Sequence, residues 1–346
     1  MKKLKDKKFL IKIAVFVLLT LIFAVDAIIY SGIAGSIVTQ RAAGEFKGDS
    51  DMLVSQVSAF YKAGSSGSEE NIFAFRSTLA SEYVSASLEA PAGGTLYKDG
   101  YSAEGKVNAR GNNSSADLFA IGVGGDWFYF HPLKLRSGSY IRETDLMKDG
   151  VLLDEEAAWR LFGGYDLAGL TVEIDEVPYV IIGVVEREKD EATNAAYGGE
   201  PMIFMHYSAL NAISETGITE YELVGADPIA GFLKGIVEKN FPSAVTVENT
   251  GRFTPGRIFK LLGDLGTRSM RKEAVKFPYW ENAAIYTEDR LTILLSVMLL
   301  LAVYPVISLI VLLVKLAAKG IKTAKVKVPE YRERMMERRY ERKAGR

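Results

Sequence analysis

Residues 220–249 read EYELVGADPIAGFLKGIVEKNFPSAVTVEN, and this stretch decides the class of fold. It predicts a strand, a helix and a second strand, because two β-rich runs flank a segment with helical spacing. Asp227 is the expected N-cap, and Pro228 is the expected first residue of the helix. The apolar face of the helix would consist of Ile229, Phe232, Leu233, Ile236 and Val237. Such a face packs on a sheet, so the stretch predicts an α+β sandwich.

The preceding region, residues 126–187, has the pattern of strands and turns with one short helix. That helix is expected at 155–164, with Asp154 as its N-cap and two glycines, Gly163 and Gly164, ending it. Residues 170–188 predict a hairpin that turns at 175–178. The run PMIFMHY at 201–207 predicts a further strand.

The N-terminal side of this region predicts two helices followed by β structure. Helical spacing of apolar residues favours helices at 44–62 and 69–83, joined by a Gly- and Ser-rich turn. Residues 96–110 predict a hairpin that turns at Asp99 and Gly100, and 117–125 predict another strand. On the C-terminal side, residues 256–273 predict a basic amphipathic helix, and Tyr279, Trp280 and Tyr286 are expected to anchor at a membrane interface.

The distribution of charge indicates a membrane protein. The segments 1–12 and 315–346 hold 18 of the 42 Lys and Arg residues but only five of the 43 Asp and Glu residues. Next to these basic ends lie two apolar segments, 13–33 and 291–314, each long enough to cross a hydrocarbon core of about 30 Å. Basic residues beside such segments favour the cytoplasm, which predicts that both termini are cytoplasmic.

These features predict a two-pass protein of the cell (plasma or inner) membrane whose central domain is extracytoplasmic. The expected limits are a cytoplasmic N-terminus at 1–12, a transmembrane helix at 13–33, the extracytoplasmic domain at 34–290, a second transmembrane helix at 291–314 and a basic cytoplasmic tail at 315–346. A cleaved signal peptide ending near Ala34 is the alternative for the first segment. Asp26 is either a functional acid within the membrane or, more simply, an acid near its outer surface.

No set of residues in the sequence indicates catalysis. A Gly-x-x-x-x-Gly-Lys phosphate-binding loop does not occur, and the two histidines, His131 and His206, are 75 positions apart. Acidic neighbours such as Asp154 with Glu155 fit a helix cap better than a glycosidase pair. We therefore assign no catalytic, cofactor-binding or metal-binding residue, expect no enzyme activity and no cofactor, and, with a net charge of −1, expect no nucleic acid as a partner.

The run VGGDWFYFHPLKLRSGSYIRETDLMKDGVLLDEEAAWRLFGGYDLAGLTVEIDEVPYVIIGVVERE, residues 123–188, resembles the periplasmic core domain of MacB-like ABC transporter permeases. The residues that carry the resemblance stand in the family's order: Asp126, Trp127, Phe128, Leu133, Leu135, Gly138, Asp145, the run 151–155, Ala158, Leu161, Phe162, Gly163, Gly169, Val172, Ile174, Tyr179, Ile182, Gly183, Val184 and Val185. The agreement covers about 70 residues closely and extends more weakly over 40–250.

The resemblance implies a porter-like α/β sandwich interrupted by a β-rich subdomain at about 126–195. It also implies work in a complex that uses cytoplasmic ATP hydrolysis to move the outer domain mechanically. Family permeases have three helices after this domain, whereas one apolar segment follows it here. The resemblance therefore favours a non-catalytic subunit or degenerate permease, with an ABC ATPase and full-length permease subunits as partners.

Other functions remain open at this point. A stand-alone extracytoplasmic ligand-binding or sensory protein is the main alternative, and an enzyme of the cell envelope is the least favoured. The charged tail at 329–346 predicts a helix that is solvated, contacts anionic lipid or docks on an ATPase. The protein is expected to contact the lipid bilayer and to form homo- or hetero-oligomers.

Overall fold

The computed structural model describes residues 2–91, 93–265 and 275–344. Two compact units can be distinguished within them. Ile33–Thr292 form the first, and the flanking segments, up to Gly32 and from Ile293 onward, form the second. The first unit has a mixed α/β fold, as the sequence predicts.

Ten helices and ten strands are assigned in the described part of the chain. The helices are α1 (Lys2–Ala34), α2 (Ala42–Lys47), α3 (Glu69–Ser85), α4 (Trp127–Phe130), α5 (Glu155–Phe162), α6 (Glu191–Ala196), α7 (Tyr207–Ser214), α8 (Phe232–Asn240), α9 (Pro255–Phe259) and α10 (Tyr279–Ala344). The strands are β1 (Val54–Tyr61), β2 (Tyr97–Arg110), β3 (Ser115–Gly125), β4 (Leu135–Gly138), β5 (Gly150–Asp154), β6 (Thr171–Ile174), β7 (Val177–Val185), β8 (Met202–His206), β9 (Glu220–Ala226) and β10 (Ala244–Glu248).

All ten strands belong to one sheet with the order β10-β1-β9-β2-β3-β8-β5-β7-β4, and β6 pairs with both β2 and β7. The long strand β2 joins the two ends of this sheet. Its first six residues pair with β9, its residues from Gly100 to Arg110 pair with β3, and its last two residues pair with β6. The predicted sandwich and the β-rich region therefore share a continuous sheet.

Helices cover one face of the sheet in two places. Around β1 and β9, α3 and α8 contribute Ile72, Phe75, Leu79, Tyr83, Leu233, Ile236 and Val237 to a buried cluster. Around β3, β5, β7 and β8, α5 and α7 contribute Ala157, Ala158, Leu161 and Leu210 to another. The apolar residues of these helices recur every three or four positions. They therefore form one apolar face on each helix, and that face packs on the sheet.

Several predicted elements are confirmed. Helix α5 starts where the sequence predicts, since the Asp154 carboxylate accepts a hydrogen bond from the Ala157 backbone at 2.7 Å. It ends at Gly163, whose φ of 72° is left-handed and favours glycine. The predicted hairpin is β6–β7, and Asp175 and Glu176 form its turn with positive φ. Strand β8 lies within the predicted 201–207.

The predicted helix at 44–62 is wrong. Only Ala42–Lys47 are helical, and Val54–Tyr61 form β1, which lies between β9 and β10. Seven of its eight residues are buried, because the strand is covered on both faces. A short buried run has no clear period of two, so apolar spacing cannot distinguish it from a helix.

The predicted hairpin turn at Asp99 and Gly100 is also wrong, because β2 passes straight through both residues. Asp99 is buried and accepts hydrogen bonds from Arg76 at 2.8 Å and from the Tyr221 hydroxyl at 3.1 Å. At Gly100 a Cβ would lie 2.8 Å from the Cα of Trp127. The glycine is required by this close approach of two backbones rather than by a turn.

The 220–249 unit is confirmed as strand, helix and strand, with two differences. Helix α8 begins at Phe232, later than Pro228, and Ile229 is exposed. Asp227 still binds the start of the helix, since its carboxylate accepts from the Leu233 backbone at 3.0 Å. In addition, β9 and β10 are not neighbours, because β1 lies between them.

Two helices are long and apolar enough to cross a membrane by length and composition, Lys7–Ala34 and Tyr279–Lys322. They flank the α/β unit in sequence and include the predicted segments 13–33 and 291–314. A single helix over 256–273 is wrong, because α9 ends at Phe259 and a 3-10 turn follows at Leu262–Asp264. The part of that prediction over 266–273 lies outside the described residues.

The aromatic residues near the start of α10 do not match the predicted interfacial anchors. Tyr279 and Trp280 are 9 % and 4 % exposed, and they pack in a buried cluster with Trp127. A buried indole needs apolar surroundings and one hydrogen-bond acceptor for its N–H. The interior of the domain supplies both to Trp280, because Glu220 accepts from its Nε1. Tyr286 is half-buried.

Candidate functional site

Strand β9 places two glutamates inside the domain. Glu220 and Glu222 are 1 % and 2 % exposed, and they alternate with Tyr221 and Leu223, which pack in the cluster under α3 and α8. Because successive side chains of a strand point to opposite faces, both glutamates lie on the other face of the sheet. The two glutamates are therefore buried on the face of the sheet opposite to α3 and α8.

His131, which follows α4, completes a group of three ionisable side chains. Its Nε2 lies 2.6 Å from Glu222 Oε2. Glu220 accepts two hydrogen bonds, one from Trp280 Nε1 at 2.7 Å and one from the Ser102 hydroxyl at 2.8 Å. One nitrogen or oxygen of each of His131, Glu220 and Glu222 lies within 4.8 Å of the other two.

Aromatic rings pack around this group. The Trp127 ring stacks on the His131 imidazole with centroids 4.1 Å apart, and the Trp280 ring meets it edge-on at 4.6 Å. Burial lowers the pKa of His131 to about 4 and raises the pKa of Glu222 to about 8. The pKa of Glu220 is raised well above its usual value by burial and by the neighbouring Glu222. The enclosure thus disfavours charge on all three groups.

Hydrogen bonds extend from this group across β1 to the turn after β10. The Ser58 hydroxyl donates to Glu222 Oε1 at 3.2 Å, and Asn249 Nδ2 donates to the Ser58 oxygen at 2.8 Å. Asn249 Oδ1 in turn accepts from Arg252 Nη1 at 3.2 Å. Five side chains that are distant in sequence form this continuous path, namely His131, Glu222, Ser58, Asn249 and Arg252. We call this path, together with the ion pairs of Arg252, the buried network.

Arg252 fastens the first turns of α10 to the α/β unit. Its Nη1 and Nη2 bind the two carboxylate oxygens of Glu281 at 2.8 and 2.7 Å, and its Nε binds Glu288 at 2.8 Å. Side chains seven residues apart lie on one face of a helix, so both glutamates meet the guanidinium at once. Burial lowers the pKa of Arg252, but the two carboxylates outweigh that effect and its pKa is raised.

The buried network is enclosed by the domain and joins the first turns of α10 to the sheet. The side chains of Arg252, Glu281 and Glu288 are 4 %, 3 % and 7 % exposed, so a substrate has no direct access to them. A bidentate ion pair is also stiff and directional. The start of α10 is thereby connected to the turn after β10 and, through Asn249 and Ser58, to β1 and β9.

Sequence reasoning assigned no site residues and missed this network. His131 belongs to the network through Glu222, and His206 lies elsewhere, 3.6 Å from Asp145. Asp154 caps α5 and pairs with Arg187 at 2.6 Å, in keeping with its predicted role. The signal that could have found the site is the pair of glutamates in a strand expected to be buried, because buried acids need partners.

A family model described as MacB-like periplasmic core domain matches residues 14–230. No curated protein matches the chain significantly.

Among solved structures, the chain is similar to the periplasmic region of MacB from Actinobacillus actinomycetemcomitans, with 16 % identity, 63 % of this chain and 94 % of that chain covered, and a TM-score of 0.44. It is also similar to the extracellular domain of the noncanonic ABC-type transporter YknZ from Gram-positive bacteria, with 16 % identity, coverage of 54 % and 90 %, and a TM-score of 0.38. A domain of a putative permease protein from Porphyromonas gingivalis shows 14 % identity, coverage of 57 % and 92 %, and a TM-score of 0.33.

Proposed function

Because the chain belongs to the family with the MacB-like periplasmic core domain, we propose that it is a non-catalytic membrane subunit or degenerate permease of an ABC transport system. Its role is export, or the transmission of movement across the cell envelope. The observation that carries this proposal is the bidentate attachment of Arg252 to the first turns of α10. The same helix contains the apolar segment long enough to cross the membrane.

The mechanism follows from the stiffness of these parts. An α-helix transmits an axial push or pull along its length, because each turn is hydrogen-bonded to the next. Glu281 and Glu288 hold the helix at two points about two turns apart, which resists tilting as well as sliding. Arg252 passes the displacement to the sheet. A tilt or shift of α10 in the membrane thereby becomes a movement of the α/β unit.

The energy for this movement comes from a partner in our proposal. The 346 residues contain no phosphate-binding loop, so an ABC ATPase on the cytoplasmic side supplies ATP hydrolysis, and full-length permease subunits complete the complex. In this arrangement both termini are cytoplasmic and Ile33–Thr292 face the outside. The basic residues that flank the apolar segments support this orientation.

Co-purification from the native membrane tests the proposal. The full chain, tagged at its C-terminus and extracted in mild detergent, should bring an ABC ATPase and a permease in a fixed ratio, identified by mass spectrometry. A tagged unrelated two-pass membrane protein serves as the control for unspecific capture. Recovery of the chain as a monomer or homodimer without an ATPase contradicts the proposal and favours a stand-alone sensory or ligand-binding protein.

A further inference from the structure

We propose that His131, Glu220 and Glu222 bind one divalent transition-metal cation, and that Zn²⁺ is the ion their chemistry fits best. This inference goes beyond the proposed function and does not depend on it. It rests on the position of the three side chains, the charge around them and the hydrogen bonds that orient them.

The three side chains are a suitable set of metal ligands. Zn²⁺ accepts imidazole nitrogen and carboxylate oxygen together, at about 2.0–2.2 Å. The three groups already have one donor atom each within 4.8 Å of the others, on a strand and at the end of a short helix. Tetrahedral geometry with such bond lengths requires separations of roughly 3.3 Å, so metal binding must move His131 Nε2 and Glu222 Oε2 slightly apart from their present 2.6 Å.

The group offers two acidic ligands to a cation. Glu220 and Glu222 are both buried, and among the described residues His131 lies at hydrogen-bond distance from Glu222. The nearby guanidinium of Arg252 is engaged by Glu281 and Glu288 instead. A divalent cation would compensate the charge that the two carboxylates take on when they lose their protons in this buried position.

Hydrogen bonds outside the group hold the ligands in place. Ser102 and Trp280 donate to Glu220, and Ser58 donates to Glu222, so both carboxylates are oriented before an ion arrives. Trp127 stacks on His131 and fixes the plane of its ring. Such outer contacts orient the ligands of natural metal sites and raise their affinity.

Binding of the ion exchanges with a proton. The distance of 2.6 Å between His131 Nε2 and Glu222 Oε2 is that of a hydrogen bond with one shared proton. A metal ion takes the place of this proton. The two atoms then move apart by less than about 1 Å, and small side-chain rotations are enough for this change. Zn²⁺ binding should therefore release protons, as is general for ligands that must be deprotonated.

The experiment uses the full-length protein in detergent, stripped with a chelator that is then removed. Zn²⁺ alone is titrated by calorimetry in two buffers of different ionisation enthalpy, and bound metal is measured after gel filtration. We expect one Zn²⁺ per chain, with proton release that makes the heat depend on the buffer. Co²⁺ serves as a second probe, because its visible absorption reports nitrogen and oxygen coordination.

The two histidines of the chain supply the matched controls. His131→Gln and Glu222→Gln should weaken Zn²⁺ binding more than about 100-fold, whereas His206→Gln should leave it unchanged. Ser102→Ala, an outer contact, should weaken it about 10- to 100-fold. Thermal unfolding of each variant shows whether it is folded. If Glu222→Gln does not fold, the comparison of His131→Gln with His206→Gln decides.

Three results would overturn the proposal. They are the absence of stoichiometric Zn²⁺ binding to the wild-type chain, wild-type binding by folded His131→Gln, or loss of binding in His206→Gln. If neither the His131 variant nor the Glu222 variant folds, the wild-type chain is the remaining test. An apparent Tm of the wild-type chain that does not rise with saturating Zn²⁺ would then refute the proposal. None of these outcomes bears on the ATPase partner, which the co-purification tests separately.

Discussion

Replacing Arg252 by methionine is expected to destabilise the α/β unit severely. The guanidinium makes four hydrogen bonds, three of them to the carboxylates of Glu281 and Glu288, and all three side chains are at most 7 % exposed. Removing one member of a buried ion pair takes away a main source of compensation for the buried charge that remains, which costs about 3–5 kcal/mol. In a domain of this size that corresponds to a fall in Tm of roughly 6–20 °C.

The assay is thermal unfolding of the full-length protein in detergent, followed by tryptophan fluorescence at one fixed heating rate. Arg252→Lys keeps the charge but loses the planar fork, and about 1–3 kcal/mol should be lost. Arg252→Met combined with Glu281→Met and Glu288→Met removes every buried charge of the ion pairs. This triple variant should regain most of the stability, because a well-packed apolar replacement of such a group is close to neutral.

An apparent Tm of Arg252→Met that falls by less than about 2 °C, the effect of only about 0.5–1 kcal/mol in such a domain, would contradict this prediction. It is equally refuted if the triple variant is less stable than the single one. The first outcome would mean that the ion pairs are not buried in solution. The second would mean that packing around Arg252, rather than its charge, holds the start of α10.

Three further predictions concern other parts of the molecule. Asp154→Ala should lower the free energy of unfolding by about 2–4 kcal/mol, because the cap of α5 and the buried partner of the Arg187 guanidinium disappear together. Glu156→Ala, the control on the same helix, should change it by less than about 0.5 kcal/mol in the same unfolding assay. Gly111→Ala should lose about 1–3 kcal/mol by denaturant unfolding, because its Cβ would lie 2.4 Å from a backbone oxygen of α5. The chain has no cysteine, so a single Leu146→Cys, 96 % exposed, should react with an impermeant maleimide on intact cells, whereas Tyr331→Cys should react only after permeabilisation. Labelling of Tyr331→Cys on intact cells would contradict the proposed orientation.

Local signals in the sequence predict the parts of the fold that depend on neighbouring residues. The cap at Asp154, the left-handed end of α5 at Gly163 and the β6–β7 turn at Asp175 each involve contacts a few positions apart. Propensity and capping act at that range, so the sequence is sufficient there. The apolar segments are equally local, because their length and composition alone make them long enough to cross a bilayer.

Tertiary contacts explain the errors. Strand β1 has helical spacing in sequence, yet pairing with β9 and β10 determines its structure. Gly100 resembles a turn residue, but the backbone at Trp127 packs against it. Tyr279 and Trp280 resemble membrane anchors, but a buried cluster of the domain contains both. In each case a partner far along the chain decides the outcome, and local pattern carries no information about it.

The buried network could not be predicted for the same reason. His131 and Glu222 are 91 positions apart, and Arg252 and Glu281 are 29 apart, so no spacing motif joins them. The sequence does show that Glu220 and Glu222 alternate with apolar residues in a strand with a buried pattern. That anomaly indicates a buried polar site, but it does not reveal which partners complete the site.

Hydrogen–deuterium exchange of the purified complex tests the central claim most directly, since the claim is that ATP hydrolysis by a partner moves this domain through α10. Exchange is compared with ATP and vanadate and without nucleotide. The account predicts that peptides covering Arg252 and residues 279–292 change their exchange, while the peptide of α5, which takes no part in the network, does not. Identical exchange in both states, in a preparation that hydrolyses ATP, would contradict it.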